Sequence, residues 1–226
     1  MKAAVVIFPG SNCDHDVLHV LRNVMKVPTQ AVFHRDNLPP GVDLVVLPGG
    51  FSFGDYLRCG AIAHLSPVMT DVKRHADRGG YLLGICNGFQ ILTESRLLPG
   101  ALTRNAHRRF ECKDVFLKTQ GDGPFTQGVP KVVRVPIAHA EGRYQLDETA
   151  RKKLEDEQRI AFRYCDASGA IVPEANPNGA VDNIAGVYGG PRRNILGMMP
   201  HPERLSETAL GGVDGRSIFE AVLASA

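Results

Sequence analysis

The sequence has no basic block, no CxxC pair, no internal repeat, no low-complexity tract and no apolar run long enough for a membrane helix. Each absence excludes something. With 26 Lys and Arg against 24 Asp and Glu, the net charge is only +2, so nucleic acid is not expected as a main partner. The five cysteines, at positions 13, 59, 86, 112 and 165, are odd in number and unpaired in spacing. That argues against a disulfide framework or a zinc site and makes a reducing cytoplasm the simplest location. A spanning helix needs roughly 20 apolar residues, and nothing approaches that. The opening stretch Lys2 to Phe8 is too short for a signal-peptide core and reads as a strand. With no convincing linker, 226 residues suit one α/β domain covering the whole chain better than two.

What is present begins with rhythm. Ala3-Ala4-Val5-Val6-Ile7-Phe8 is a continuous apolar run, as a buried parallel strand should be. Pro9-Gly10-Ser11-Asn12 is a turn, and Val17, Leu18, Leu21, Val24 and Met25 recur at helical spacing. Gln30 to His34 and Asp43 to Leu47 read as strands, Pro67 to Asp77 as a helix, Tyr81 to Ile85 as a strand, and Asn87 onward as a helix. This alternation predicts a flavodoxin-like, doubly wound, mostly parallel sheet. After about residue 100 the pattern becomes strand-rich (Asp114 to Lys118, Lys131 to Ala138, Arg159 to Tyr164), an appended antiparallel segment. Only Asp147 to Gln158 and Ser217 to Ser225 look helical there. Ligands of doubly wound sheets bind beyond the carboxyl ends of the strands. Three such ends carry conspicuous turns: Pro9-Gly10, Pro48-Gly49-Gly50 and Ile85-Cys86-Asn87.

Gly84-Ile85-Cys86-Asn87-Gly88 has the G-x-nucleophile-x-G form of a nucleophile elbow. Such a turn strains the nucleophile's backbone and crowds its flanks, hence the glycines. It would set the Cys86 sulfur at a helix N-terminus, where free N–H groups favour a thiolate and Asn87 N–H could hold an oxyanion. The pentapeptide alone fits a buried cysteine in a tight turn at least as well. Pro200-His201-Pro202-Glu203 follows the short apolar strand Asn194 to Met198. Its prolines stiffen a loop in which His201 could shuttle a proton and Glu203 could orient the imidazole. A surface loop with a capping histidine reads equally well. Pro48 to Gly54 lacks the Lys-Ser/Thr of a phosphate loop, so a second oxyanion N–H near Gly50 is as good a reading. His139, Glu141, Gly142 and Arg143 follow a strand and could line a pocket. Asp14-His15-Asp16 suggests ligands, but adjacent positions do not share a helix face, so it reads as a solvated helix start and no metal is assigned. Arg104, Arg108 and Arg109 with Phe110 read as a solvated hairpin. Phe51, Phe53, Tyr56 and Leu57 crowd a ten-residue loop: either a docking patch, with Arg58 pairing across the interface, or a cover for the sheet edge.

Taken together, these segments resemble the class I (triad-type) glutamine amidotransferases. Within that class they are most similar to the glutaminase subunits of phosphoribosylformylglycinamidine synthase. The resemblance covers nearly the whole chain. It rests on Pro9 to Asp14, Pro48 to Arg58, Gly84-Ile85-Cys86-Asn87-Gly88-Phe89-Gln90, Arg109 to Cys112, Pro136 to Tyr144 and Met199 to Arg204. Ala140 stands where glycine is expected, and Ala106-His107 where a serine is usual. The first bears on the fine shape of the glutamine pocket.

The resemblance implies that Cys86 attacks the side-chain amide of glutamine, that His201 and Glu203 complete the triad, and that N–H groups at Gly50 and Asn87 hold the oxyanion. It implies that Gln90, His139, Glu141, Gly142 and Arg143 help bind glutamine. The ammonia would pass to a large synthetase subunit, which uses ATP and Mg to convert formylglycinamide ribonucleotide to the amidine in purine biosynthesis. This chain itself would carry no cofactor, and a small third subunit would complete the assembly. Another triad hydrolase on the same fold, such as a γ-glutamyl peptidase, and a non-catalytic small-ligand module remain alternatives at this point.

Overall fold

The computed structural model describes residues 1–225. In chain order it contains β1 (Ala3–Ile7), α1 (Asp14–His19), β2 (Thr29–Phe33), β3 (Leu44–Leu47), α2 (Val68–Asp77), β4 (Tyr81–Ile85), α3 (Asn87–Glu94) and β5 (Ala101–Thr103). There follow β6 (Glu111–Thr119), β7 (Val132–His139), β8 (Arg143–Gln145), α4 (Glu148–Asp156), β9 (Ile160–Cys165), β10 (Ile184–Gly189), β11 (Ile195–Met198) and α5 (Arg216–Ala224). Nine strands form one sheet in the order β2-β1-β3-β4-β11-β10-β9-β6-β7, and β5 pairs with β8 in a small separate ribbon.

Strands β2, β1, β3, β4 and β11 run parallel. The apolar runs of β1, β3, β4 and β11 are almost entirely buried, as covering helices require, whereas the edge strand β2 is largely exposed. Helix α2 turns Val68, Met69, Val72 and Ala76 inward, and α4 starts where the Asp147 carboxylate accepts the Ala150 N–H at 2.7 Å. The periodic stretch after the first turn is helical as expected, but its second half, Val20–Val24, widens into a π-helical turn.

The antiparallel part is a continuation of the main sheet. Strand β10 pairs antiparallel with β11 and with β9, and β6 pairs antiparallel with β9 and β7. This mixed, mainly α/β architecture is the flavodoxin-like one expected. Strands β5, β8 and β10 had no clear counterpart in the sequence pattern. β5 and β8 are only three residues each, and β10 (Ile-Ala-Gly-Val-Tyr-Gly) carries a bulge between Ile184 and Val187. The sheet curls until its far edge returns to the parallel half: the Pro136 carbonyl of β7 accepts the His201 N–H at 2.8 Å.

The tightest packing in the fold lies where α3 leaves β4. A Cβ at Gly88 would stand 1.9 Å from the Leu47 carbonyl oxygen, and one at Gly84 would stand 2.8 Å from the Gly88 carbonyl oxygen. Both glycines are there for close approach of backbone to backbone. Gly88→Ala should therefore cost at least about 3 kcal/mol, above the usual overpacking range, because a carbonyl cannot rotate away as a side chain can. Urea denaturation of the variant would measure it; a loss under about 1 kcal/mol would mean that α3 shifts freely.

Candidate active site

Strands β3, β4 and β11 are neighbours, parallel and in register, so their carboxyl ends emerge side by side. Beyond β3 comes Gly49-Gly50, beyond β4 comes Cys86, and beyond β11 come His201 and Glu203. The register places Met198 opposite Ile85, and the Cys86 N–H donates to the Met198 carbonyl at 2.8 Å. Residues remote in sequence are thus fixed against each other by strand pairing.

Cys86 occupies the elbow with φ 50° and ψ −105°, a conformation that a side chain adopts only under constraint. It immediately precedes α3, whose first N–H groups have no partner within the helix. Its thiol is nearly buried, and its nearest hydrogen-bonding contact is the Ala138 carbonyl at 3.9 Å. His201 and Glu203 are about 1% exposed, and Nδ1 of His201 meets Oε1 of Glu203 at 2.6 Å. Nε2 of His201 has no hydrogen-bond partner. Burial opposes a charge on His201, but Glu203 and the adjacent Cys86 and Cys13 sulfurs outweigh it and hold the imidazole well above its ordinary range. The groups converge over Gly49, where a Cβ would lie 2.7 Å from His201 Cε1, 3.1 Å from Cys13 Sγ and 3.4 Å from Cys86 Cβ.

Cys13 is the neighbour that sequence reasoning missed. Its sulfur stands 3.0 Å from the Arg204 guanidinium, which also pairs with Asp16 at 3.2 Å. Nothing local in the sequence announces this, because Arg204 and Cys13 meet only through the fold. Cys13, His201 and Glu203 offer ligand atoms within 4.8 Å of one another. By residue type that is a metal-ligand set. The Nδ1–Oε1 hydrogen bond already joins two of the three, and coordination through those atoms would break it.

A cavity of about 110 Å³ opens beside the thiol, lined by Gly50, Phe51, Asp55, Cys59, Cys86, Gln90, Ala138, His139, Ala140 and Glu141. Among the described residues, nothing accepts a hydrogen bond from the Gly50 or Asn87 N–H. Gln90 lines the cavity, but both ends of its amide are engaged: Nε2 donates to the Glu141 carbonyl at 2.7 Å, and Oε1 accepts from Asn87 Nδ2 at 3.0 Å. Glu141 and His139 are also cavity residues. Gly142 and Arg143, expected to line the pocket, do not. Gly142 lies beneath the His139 ring, where a Cβ would come within 2.3 Å of it, and its N–H donates to Asn105 Oδ1 at 3.0 Å. Arg143 lies in the β5–β8 ribbon and donates to the Gly179 carbonyl at 3.1 Å. Asn105 clamps the segment further, donating to the His139 and Arg109 carbonyls.

Residues 51–60 form the rim. Phe53, Asp55 and Leu57 all have positive φ. Tyr56 and Leu57 are 73% and 87% exposed, whereas Phe53 turns inward and meets His34 edge-on at 5.3 Å. Arg58, expected to await a carboxylate on a partner, is already bidentate to Glu94 at 3.0 and 2.7 Å. Of the three arginines read as a solvated hairpin, Arg104 is exposed and reaches Glu141 at 3.6 Å.

The arrangement can support acyl transfer to a thiol: a cysteine on strained backbone, a carboxylate-paired imidazole and, among the described residues, two N–H groups without an acceptor. The comparisons agree. Residues 1–212 match the CobB/CobQ-like glutamine amidotransferase domain. The chain belongs to this glutamine amidotransferase family. Among its relatives, the phosphoribosylformylglycinamidine synthase subunit PurQ of Gloeobacter violaceus is 52% identical, covering 100% of this chain and 98% of that protein. The subunit of the same name from Methanosarcina acetivorans is 50% identical over 98% of this chain and 97% of its own length. A solved chain from the structure of PurLQS from Thermotoga maritima superposes with a TM-score of 0.86 at 39% identity, covering 99% of this chain and 98% of that chain. No helix among the described residues is long and apolar enough to cross a membrane.

His139 gives the site a stability signature. It is 3% exposed, and burial, followed by the neighbouring His201 charge, lowers its pKa to about 4. It is neutral at pH 7. Below the unfolded value of about 6.5, the unfolded chain binds a proton that the native chain refuses, so stability falls as pH drops from there towards 4. The contribution is about 3 kcal/mol across that window. His139→Gln should flatten the dependence of unfolding free energy on pH between 4 and 6.5; an unchanged slope would assign it to other groups.

Proposed function

We propose that this chain is the glutaminase subunit of a phosphoribosylformylglycinamidine synthase, acting in the cytoplasm. The observation that carries the mechanism is the buried 2.6 Å pair of His201 and Glu203 beside a cysteine held in an elbow. In this reading the Cys86 thiolate attacks the side-chain carbonyl carbon of glutamine. The oxyanion is received by the N–H groups of Gly50 and Asn87, which have no other acceptor among the described residues. His201, charged and oriented by Glu203, gives its proton to the departing nitrogen, and ammonia leaves. The γ-glutamyl thioester remains on Cys86. His201 then takes a proton from water, the hydroxide attacks the thioester, and glutamate departs as the thiolate re-forms.

Every charge in this cycle is handled by a protein group, so the chain needs no metal or cofactor of its own. Its relatives are subunits of a synthase, and the solved complex is called PurLQS. The ammonia accordingly goes to a large synthetase subunit, which uses ATP and Mg to make formylglycinamidine ribonucleotide, with a small third subunit in the assembly. The exposed Phe51, Tyr56 and Leu57 at the cavity rim are the surface this partner would meet.

Three variants test the triad as a unit. Cys86→Ser should abolish glutamine hydrolysis while the complex still runs on added ammonia, because only the ammonia source is lost. His201→Ala should cost on the order of 10⁴-fold or more in kcat, and adding Cys86→Ala should cost little further. Glu203→Gln should cost less, since the imidazole itself remains. Glutaminase assays of the single and double variants decide this, and multiplying effects would mean that the residues act independently.

A further inference from the structure

Cys13 has no step in the reaction at the thiol, yet it stands beside the triad. It is 2% exposed and precedes α1, and its N–H donates to the Gly49 carbonyl at 3.4 Å. Its sulfur lies within 4.8 Å of a ligating atom of both His201 and Glu203. The imidazole thus has two sulfurs for neighbours, and both Cys86 and Cys13 bear on its charge. Nε2 of that ring is buried without a partner among the described residues, while Nδ1 is held by Glu203 at 2.6 Å. Two thiols and a free imidazole nitrogen, brought together from three separate segments, are the donor set of a soft or borderline cation. A carboxylate on the other ring nitrogen is the usual outer partner of a metal-ligating histidine, because it fixes the ring and strengthens it as a donor. The missing Cβ of Gly49 keeps the middle of the group clear, since it would come within 3.4 Å of all three side chains.

We propose that Cys13, Cys86 and His201 Nε2 form an inhibitory site for Zn²⁺, which arrests ammonia production by occupying the nucleophile and its proton donor together. The site is separate from the cavity beside the elbow, whose lining includes neither Cys13 nor His201. With Zn–S bonds of about 2.3 Å and Zn–N of about 2.0 Å, tetrahedral neighbours stand about 3.5 Å apart, so Cys13 and His201 need to close by roughly 1 Å. Zn²⁺ takes both sulfurs as thiolates and Nε2 through its lone pair, and the protons these groups carried pass to water. A water molecule fills the fourth position. Coordination through Nε2 leaves the Nδ1 bond to Glu203 in place. The charges also match. Two thiolates and the Glu203 carboxylate offset Zn²⁺ and the Arg204 guanidinium, which stands 3.0 Å from Cys13 Sγ, so the loaded cluster stays close to neutral. Mg²⁺ demands oxygen donors and finds none among two sulfurs and an imidazole, so the ion that the synthetase partner uses leaves the site alone.

The inhibition rests on the glutaminase reading above; the metal site itself does not, and the test keeps them apart. Free Zn²⁺ is set with a nitrilotriacetate buffer over the complete synthetase complex at constant Mg²⁺. Glutamine-dependent synthesis should fall as Zn²⁺ rises and return on addition of EDTA, while ammonia-dependent synthesis continues. Cys13→Ser should raise the half-inhibiting Zn²⁺ concentration by roughly tenfold or more, because a hydroxyl replaces a thiolate ligand. Cys112→Ser, which removes an exposed thiol on β6, should leave that concentration unchanged. Each variant is read against its own zinc-free rate. A second measurement needs neither a variant nor activity. Co²⁺ added to the full chain should give thiolate-to-cobalt charge transfer, and prior alkylation of Cys86 should weaken it. Equal half-inhibiting Zn²⁺ in wild type and Cys13→Ser, or the absence of the cobalt band, would overturn the site. Parallel loss of ammonia-dependent synthesis would place the metal on the partner, and a shift in Cys112→Ser would place it on the surface thiol; either ends the proposal. A wild-type complex that hydrolyses no glutamine without zinc would sink the glutaminase reading alone, and the cobalt band would still decide the metal site.

Discussion

The backbone of Cys86 is held in a conformation that it would not keep in a free peptide, and the site depends on what holds it there. Positive φ with ψ near −105° costs of order 1–3 kcal/mol. Two constraints over-determine it. The Cys86 N–H is tied to the end of β11, and the first turn of α3 is pressed onto the end of β3 so closely that only glycine fits at position 88. One hydrogen bond and one steric contact thus join three strands at a single point. The same contacts that strain Cys86 bring the Gly50 turn and the His201 loop to it.

The second requirement is electrical. An imidazolium and a carboxylate, both almost wholly buried, each lose several kcal/mol of hydration, and only close pairing offsets this. At 2.6 Å the pair is as close as such hydrogen bonds come. Losing either partner would strand the other charge in the interior. Around them the protein keeps nearby groups neutral: His139 refuses a proton at pH 7, and Cys59 keeps its own. The charge on His201 therefore rests on Glu203 and the adjacent sulfurs, which outweigh burial.

How much of this was legible beforehand follows from the range of each interaction. Strands β1, β3, β4 and β11 and the elbow carry their signals locally, as apolar runs and glycines, and they stand where the pattern put them. The pairing of His201 with Glu203 was legible because two prolines and a two-residue spacing fix it within one loop. The place of Cys13 against His201, of Asp55 beside Glu141 and of Arg58 on Glu94 depends on how distant segments fold together, and no local spacing encodes that. Gly142 and Arg143 were misplaced for a related reason. A glycine and an arginine after a strand suit a pocket wall, but here the glycine makes room for the His139 ring and the arginine completes a two-strand ribbon.

The rim loop then acquires a meaning that neither the strands nor the triad supplies. Three of its non-glycine residues have left-handed backbone, it presents exposed aromatic and aliphatic side chains, and its one arginine is spent within the chain. Strained, apolar and electrostatically satisfied, it is poorly suited to water and well suited to a surface that covers it. It also carries Asp55, whose Asn87 contact runs to the oxyanion side of the cavity. A partner that settles on Tyr56 and Leu57 therefore presses on the segment that holds one wall of the cavity. Exposed apolar side chains and a cavity-lining carboxylate thus share one short loop, so whatever covers the first reaches the second.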